Sequence, residues 1–284
     1  MRSPIRWFGG KGKMTAKLLP LIPPHQTYVE PFGGGASLLF AKPPSPVEVY
    51  NDLDSGLVNL FRVLRDPEKF ERFHQMALLT PYSREEYYDC RATWESCEDE
   101  VERAWRWFVV ARMSFGGHFG SGWGLEVSSI HNGFFGAIES LPEVANRLLQ
   151  AQVQVEHRDF REIFKQYDTP GTYFYCDPPY ISETRKTGEY KYEMTLEDHE
   201  ELVQLLLDIK GNAMLSGYNH AAYRPLEEAG WYKKSWNTAC HAAGRPRASG
   251  IRGKGAALKM QPRTETVWIK RLPTHEVTLV SLDP

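Results

Sequence analysis

An α/β fold with a mainly parallel sheet is what these 284 residues predict, and three observations lead there. Short apolar runs alternate with segments of helical periodicity. Nearly every run ends in an acid or a glycine turn. One long central stretch interrupts the alternation and carries helical patterning only.

The elements follow in order. Thr27-Tyr28-Val29-Glu30 reads as a short strand running into Pro31-Phe32-Gly33-Gly34-Gly35, after which Ala36 to Phe40 starts a helix. Val47-Glu48-Val49-Tyr50 is a second strand, ending at Asn51-Asp52-Leu53-Asp54. Val153 to Glu156 is a third, ending near Asp159, and Thr172 to Cys176 is a fourth that runs into Asp177. A helix begins at Thr195 with Asp198 as its capping partner, and Leu196, Leu202, Val203, Leu206 and Ile209 carry it to the Lys210-Gly211 stop. Ala213 to Ser216 is a fifth strand. Tyr232 to Trp236 and Thr266 to Lys270 look like an antiparallel pair closing the sheet.

Strand patterning is absent from about residue 55 to 151. Leu57, Val58, Leu60, Phe61 and Leu64 mark one helix, ended by Asp66-Pro67. Ser83 and Glu86 have the spacing of a capping box opening a second, and Val101, Ala104, Trp105, Phe108 and Ala111 line a third. The stretch Gly116 to Gly124 is a glycine and aromatic loop. The organisation expected is therefore a sheet-bearing unit over residues 1–54 and 152–284, with 55–151 inserted as a mainly helical block.

Composition narrows the function classes. A hydrophobic share of 42% and a mean hydropathy of -0.47 describe a globular chain, with no run near the ~20 apolar residues of a membrane span. No signal-peptide core follows Met1, so cytoplasmic residence is expected. Cys90, Cys97, Cys176 and Cys240 form no Cys-x-x-Cys pair, and neither a metal site nor a disulfide framework is expected. The net charge of -2 is unevenly spread: residues 233–270 hold nine Lys or Arg against Glu265 alone, and Arg2 to Lys17 holds five basic residues and no acid. Such a split points to a cationic face for phosphates.

The most informative junction is Asp177-Pro178-Pro179-Tyr180 at the end of the fourth strand. An exocyclic amine on a purine is a poor nucleophile while its lone pair is delocalised into the ring. A carboxylate at Asp177 and the Pro178 carbonyl can accept its two N–H groups, and a proline offers no competing backbone donor. Tyr180 can stack on the base, a contact worth ~1–3 kcal/mol that helps offset the cost of turning a base out of a duplex. In an open parallel sheet, ligands sit beyond the carboxyl ends of the strands. Glu30, Gly33 to Gly35, Asp52, Asp159 and Asp177 all lie at such ends, so one crevice can gather them.

Arg6-Trp7-Phe8-Gly9-Gly10-Lys11, then Val29 to Gly35, then Asn51-Asp52-Leu53-Asp54, then Asp177-Pro178-Pro179-Tyr180 together resemble the Dam-like DNA adenine methylases, the alpha-group, D12-class N6-adenine methyltransferases. The resemblance covers Arg6 to about Tyr180, with Leu215 to Asn219 as a later element. It implies a class I S-adenosylmethionine-dependent methyltransferase fold, Rossmann-like, with 55–151 as the target-recognition insertion. It also implies S-adenosylmethionine as cofactor and double-stranded DNA as partner, the enzyme being a monomer or weak dimer. Cofactor contacts are implied for Trp7, Lys11, Glu30, Gly33, Gly35, Asp52, Asp159 and Asp177, and catalytic roles for Asp177, Pro178 and Tyr180. Transfer is expected to be direct, without a covalent enzyme intermediate. The stretch Met113 to Phe135 does not reproduce the pattern of a GATC-reading member. Arg112, His118, Trp123, His131 and Asn132 are equally readable there as groove contacts or scaffold. Two rival readings are a methyltransferase on another planar nitrogen (an RNA base, a protein glutamine or a small amine) and a DNA-binding module without catalysis. The motif at Trp7 to Lys11 disfavours the first, and intact Asp177 and Tyr180 the second.

Overall fold

The strand-forming runs assemble into one seven-stranded sheet because their residues alternate between two apolar layers. The computed structural model describes residues 1–5, 7, 9–125, 133–184, 191–239 and 262–272. After the short helix α1 (Thr15–Leu18), the chain runs β1 (Thr27–Glu30), α2 (Ser37–Ala41), β2 (Val47–Asn51), α3 (Ser55–Arg65), α4 (Pro67–Leu79), α5 (Arg84–Thr93), α6 (Glu100–Met113) and α7 (Gly133–Gln150). It continues with β3 (Gln154–Glu156), α8 (Phe160–Tyr167), β4 (Thr172–Cys176), α9 (Leu196–Asp208), β5 (Asn212–Gly217), α10 (Arg224–Glu228), β6 (Tyr232–Ala239) and β7 (Pro262–Ile269).

The strand order is β3-β2-β1-β4-β5-β7-β6. β1 to β5 are mutually parallel, and β7 is antiparallel to both β5 and β6. The order reverses between β1 and β4, and that reversal opens a crevice at their carboxyl ends. Tyr28, Tyr50, Tyr173, Tyr175 and Met214 face one layer, with α3, α4, α6 and α7. Val29, Val49, Phe174, Cys176 and Leu215 face the other, with α8, α9 and α10. The apolar core is continuous from the sheet into the helical block, through Leu57, Phe61, Trp107, Phe108 and Phe134.

Several helix ends follow the sequence reading. Thr195 and Asp198 form both halves of a capping box on α9. Ser83 supplies only one half: its hydroxyl accepts from the Glu86 amide at 3.5 Å, and the Glu86 carboxylate lies by Cys90 Sγ instead. Asp66-Pro67 ends α3 and also starts the next helix. Asp66 is the residue closing α3 and the N-cap of α4, with Pro67 in its first turn. Proline fits there because that turn's amide has no helical acceptor.

One buried ionic group fastens the helical block to the sheet. Glu48 on β2 and Lys42 are almost fully buried, and Arg147 of α7 reaches in beside them. Arg147 Nη1 lies 2.6 Å from Glu48 Oε2. Its Nη2 donates to Glu48 Oε1 at 3.0 Å and to the Leu39 carbonyl at 3.1 Å. Burial alone would raise the Glu48 carboxyl, but the hydrogen bonds of Arg147 and Lys42 outweigh it and hold the acid below its ordinary value. Removing the shared acid strands two buried cations, so Glu48→Ala should lower unfolding free energy by ~3–5 kcal/mol, measured by urea denaturation. A change within ~0.5 kcal/mol, the size usual for surface substitutions, would contradict this. Since a lowered carboxyl favours the fold only while ionised, that contribution is present above the unfolded value and fades as acid protonates Glu48.

Candidate active site

The crevice above β1 and β4 is built from the ends of strands and from the amino-terminal segment. Trp7, Gly9, Lys11, Glu30, the turn Gly33 to Gly35, Asp52, Asp159, Asp177 and Pro179 all line one cavity. Among the described residues, the structure therefore brings together every expected cofactor contact. Arg6 and Phe8 of the same motif lie outside the described residues.

Lys11 and Asp177 lie at its centre. Lys11 Nζ donates to Asp177 Oδ1 at 2.7 Å and to Oδ2 at 3.0 Å, and also to the Gly9 carbonyl at 3.0 Å. Burial would lower the ammonium, yet the charge and hydrogen bonds of Asp177 hold it above the ordinary lysine value. Burial lifts Asp177 above the usual carboxylate range, with Lys11 opposing and Glu265 adding to the rise.

Glu30 and Asp52 are positioned differently. Glu30 Oε1 accepts from the Tyr28 hydroxyl at 2.8 Å and from the Leu39 amide at 2.8 Å. Burial pushes its carboxyl up to about 8 against those two bonds. Asp52 Oδ2 accepts from the Gly34 amide at 2.7 Å and Oδ1 from the Asp54 amide at 2.8 Å. Burial raises this acid to about 6, opposed by the same backbone donors. Asn51, quoted only as part of a motif in the sequence reading, is a hub: its amide nitrogen donates to the Pro31 and Arg158 carbonyls at 2.8 and 2.9 Å, and its oxygen accepts from the Arg158 amide at 2.9 Å. It ties the ends of β1, β2 and β3 together.

Three expected residues meet the cavity differently from the rest, Asp159 through the helix-cap position that the sequence also allows. Asp159 reaches the cavity but spends its carboxylate as the N-cap of α8, accepting from the Arg161 amide at 2.9 Å and pairing with the Arg161 guanidinium. Pro178 is buried, and Pro179 is the proline that lines the cavity. Tyr180 does not line it either. Its ring is buried, with Lys11 Nζ 4.7 Å from the centroid, Tyr218 edge-on at 4.6 Å, and its hydroxyl donating to Glu265 at 2.8 Å. Tyr218 stands in the later element Leu215 to Asn219, whereas Glu265 and the cavity-lining Lys191 and Tyr192 belong to no motif of the resemblance. The sole signal for Glu265 was its isolation among basic residues.

In the helical block, Trp123 is part of the loop's own scaffold: Ser114 bridges to it, Tyr82 packs on it at 5.4 Å, and the Arg84 guanidinium covers it at 4.9 Å. His131 and Asn132 lie outside the described residues, as do Cys240 and the basic residues Arg245, Arg247, Arg252, Lys254 and Lys259. Of the described basic residues nearby, Lys17 and Lys234 flank the Trp236 ring, while Lys233 is occupied by Glu227 and Asn219. Among the described residues, no cluster of His, Cys, Asp or Glu could hold a metal ion, and no helix is long and apolar enough to cross a membrane.

Comparison with known proteins fits this geometry. The profile of the D12 class N6 adenine-specific DNA methyltransferases matches residues 7–239. The chain belongs to that family. The type II methyltransferase M1.LlaDCHI of Lactococcus lactis subsp. cremoris is 30% identical over 230 residues, covering 74% of this chain and 78% of the relative. A DNA adenine methylase of Salmonella typhi is 22% identical over 244 residues, 82% of this chain and 84% of the relative. This D12 enzyme is thus an adenine-specific DNA methyltransferase acting at N6, on the sheet of a class I S-adenosylmethionine-dependent methyltransferase.

The glycine turn has no room for side chains. A Cβ on Gly33 would fall 2.2 Å from Tyr50 Cε2, and the Tyr50 ring cannot swing away while its hydroxyl donates to the Gly34 carbonyl at 2.9 Å. Gly33→Ala should therefore lower stability by ~1–3 kcal/mol, the cost of overpacking. Gly122→Ala, where a Cβ meets nothing within 4 Å, should stay within ~0.5 kcal/mol. Equal denaturation midpoints for the two variants would contradict the packing argument.

Proposed function

We propose that this methyltransferase acts on adenines turned out of double-stranded DNA into the crevice above β1 and β4, with S-adenosylmethionine held across Trp7, Glu30, Gly33 to Gly35 and Asp52. The observation that carries the reading is the meeting of Asp177, Lys11, the glycine turn and Asp52 in one cavity at the strand-order reversal. The donor set fits the cofactor. Two carboxyls can accept from its hydroxyl and ammonium groups, and the glycine turn brings backbone where a Cβ cannot go. When bound, S-adenosylmethionine supplies an electrophilic methyl group on a positively charged sulfur.

The chain's own residues hold and orient the amine. The Asp177 carboxylate accepts one N6 hydrogen and the Pro178 carbonyl the other, which makes the lone pair available. Lys11 now bonds both carboxylate oxygens, so entry of the amine requires the ammonium to release at least one of them. The same ammonium lies over the Tyr180 ring, and its withdrawal uncovers the face on which the base would stack. Cys176 borders the turn but is buried, and burial pushes its thiol far above the ordinary value. It is unsuited to act as a nucleophile, in keeping with direct transfer. The contribution of these groups is orientation. Lys17 and Lys234, with the basic residues of 245–259, would grip phosphates and position the duplex without specifying sequence.

Two outcomes follow. Asp177→Ala should cut incorporation of labelled methyl into unmethylated duplex DNA by at least about a hundredfold, with unchanged circular dichroism. Retained turnover would exclude the role assigned to this acid. Because burial raises Asp52 to about 6, the free protein keeps that carboxyl protonated below that pH. Its acceptor capacity for a ribose hydroxyl grows as pH rises through 6, so cofactor affinity measured calorimetrically should tighten across that range and the step should vanish in Asp52→Asn. A pH-independent affinity in the wild type would count against the contact.

A further inference from the structure

The antiparallel strand β7 delivers a group to the crevice that the parallel strands cannot. β5 ends at Gly217, paired with Thr266, and β7 passes this register in the opposite direction. Glu265 therefore stands beyond the carboxyl end of β5, paired across the hairpin with Trp236. It is the one acid among the residues of 233–270, where a negative charge works against attraction of phosphates. Its carboxylate is turned instead toward the catalytic turn, where Oε2 accepts from the Tyr180 hydroxyl at 2.8 Å.

That bond completes a three-sided grip. Lys11 Nζ holds one face of the Tyr180 ring at 4.7 Å. Tyr218, the residue after β5, meets it edge-on at 4.6 Å and 74°. Both are contacts that entry of a base could alter, whereas the hydroxyl bond joins two residues outside the cavity lining and can stay made throughout. Burial and the nearby acids keep the phenol protonated, so the tyrosine is the donor and Glu265 the acceptor. Hydrogen bonds to a charged acceptor are among the stronger ones in proteins.

We propose that Glu265 is a positioning residue for methyl transfer: by holding the Tyr180 hydroxyl it sets the plane of the ring that receives the target base, and it links that plane to the β6–β7 arm. This rests on the reading of Tyr180 as the base platform. The consequence is specific. Loss of Glu265 should remove the acceptor of the Tyr180 hydroxyl and relieve its upward push on the Asp177 carboxyl, leaving the cofactor contacts at Trp7, Gly33 and Asp52 intact.

The test is a double-mutant cycle on the full chain with Glu265→Ala, Tyr180→Phe and the pair combined, together with Glu265→Gln and Tyr180→Ala. kcat and KM are measured on unmethylated duplex DNA with labelled S-adenosylmethionine, and cofactor Kd by calorimetry. Glu265→Ala should lower kcat about tenfold, the worth of one charge-assisted hydrogen bond, with cofactor Kd changed less than about twofold. Glu265→Gln should recover most of the rate, because its amide oxygen still accepts. The combined variant should lie within about twofold of Tyr180→Phe alone, the small remainder being the charge of Glu265 on Asp177. Multiplying losses in the cycle, an unchanged kcat in Glu265→Ala, or a fall in cofactor affinity matching the fall in rate would each overturn the positioning role. Wild-type turnover in Tyr180→Ala would instead overturn the platform reading, and the positioning role with it, whereas multiplying losses beside a severely impaired Tyr180→Ala would remove the positioning role alone.

Discussion

The arrangement depends on one ion pair, Lys11 to Asp177, made across 166 residues of sequence. A carboxylate at a strand end inside a cavity is driven toward its neutral form by burial, and this pair supplies the opposing attraction. It also folds the amino-terminal segment onto the carboxyl ends of β1 and β4, so Trp7 and the glycine turn share a wall. The ammonium occupies both oxygens of Asp177 and lies over Tyr180. In the proposed reaction a neutral amine takes over part of that coordination as Lys11 releases an oxygen of Asp177.

The supports of that pair reach both halves of the molecule. Asn51 and Asp52 fix the ends of β1 and β2 through backbone partners, which leaves the glycine turn lying directly on the Tyr50 ring. Trp7 packs against Trp107 of α6 with ring centroids 5.8 Å apart, and Trp107 stacks in turn on Phe119 of the glycine and aromatic loop. The segment that holds Asp177 is thereby in direct contact with the helical block. Arg147, pinned to Glu48 of β2, fastens the same helical block to the sheet.

What was legible in the sequence was local. Thr27 to Glu30 and Thr172 to Cys176 show their strands through apolar runs with sharp ends, and the Thr195 cap is written in four consecutive residues. The crevice could be read because Glu30, Asp52, Asp159 and Asp177 stand at strand ends. The remainder depends on distant neighbours. Asp66-Pro67 looks like a stop and is also a start by local chemistry, since Asp66 accepts from the Glu68 and Lys69 amides, whereas the packing of that helix on α3 and α6 is long-range. Asp159 is an acid at a strand end like Asp52, but an arginine two residues on draws its carboxylate to α8. Tyr180 reads as an open platform, yet Lys11 from the far end of the chain covers it. Glu265 acquires its place from antiparallel register alone, and no spacing within its own segment indicates that it faces residue 180.

The most direct measurement of the central claim is a crystal structure of the enzyme with duplex DNA carrying its mapped target adenine and with S-adenosylhomocysteine in place of the reactive cofactor. The adenine N6 is expected within hydrogen-bonding distance of an Asp177 oxygen and of the Pro178 carbonyl, with Lys11 Nζ withdrawn from at least one carboxylate oxygen. An adenine seated in the crevice while Lys11 still bonds both oxygens of Asp177, and N6 held by other groups, would contradict it.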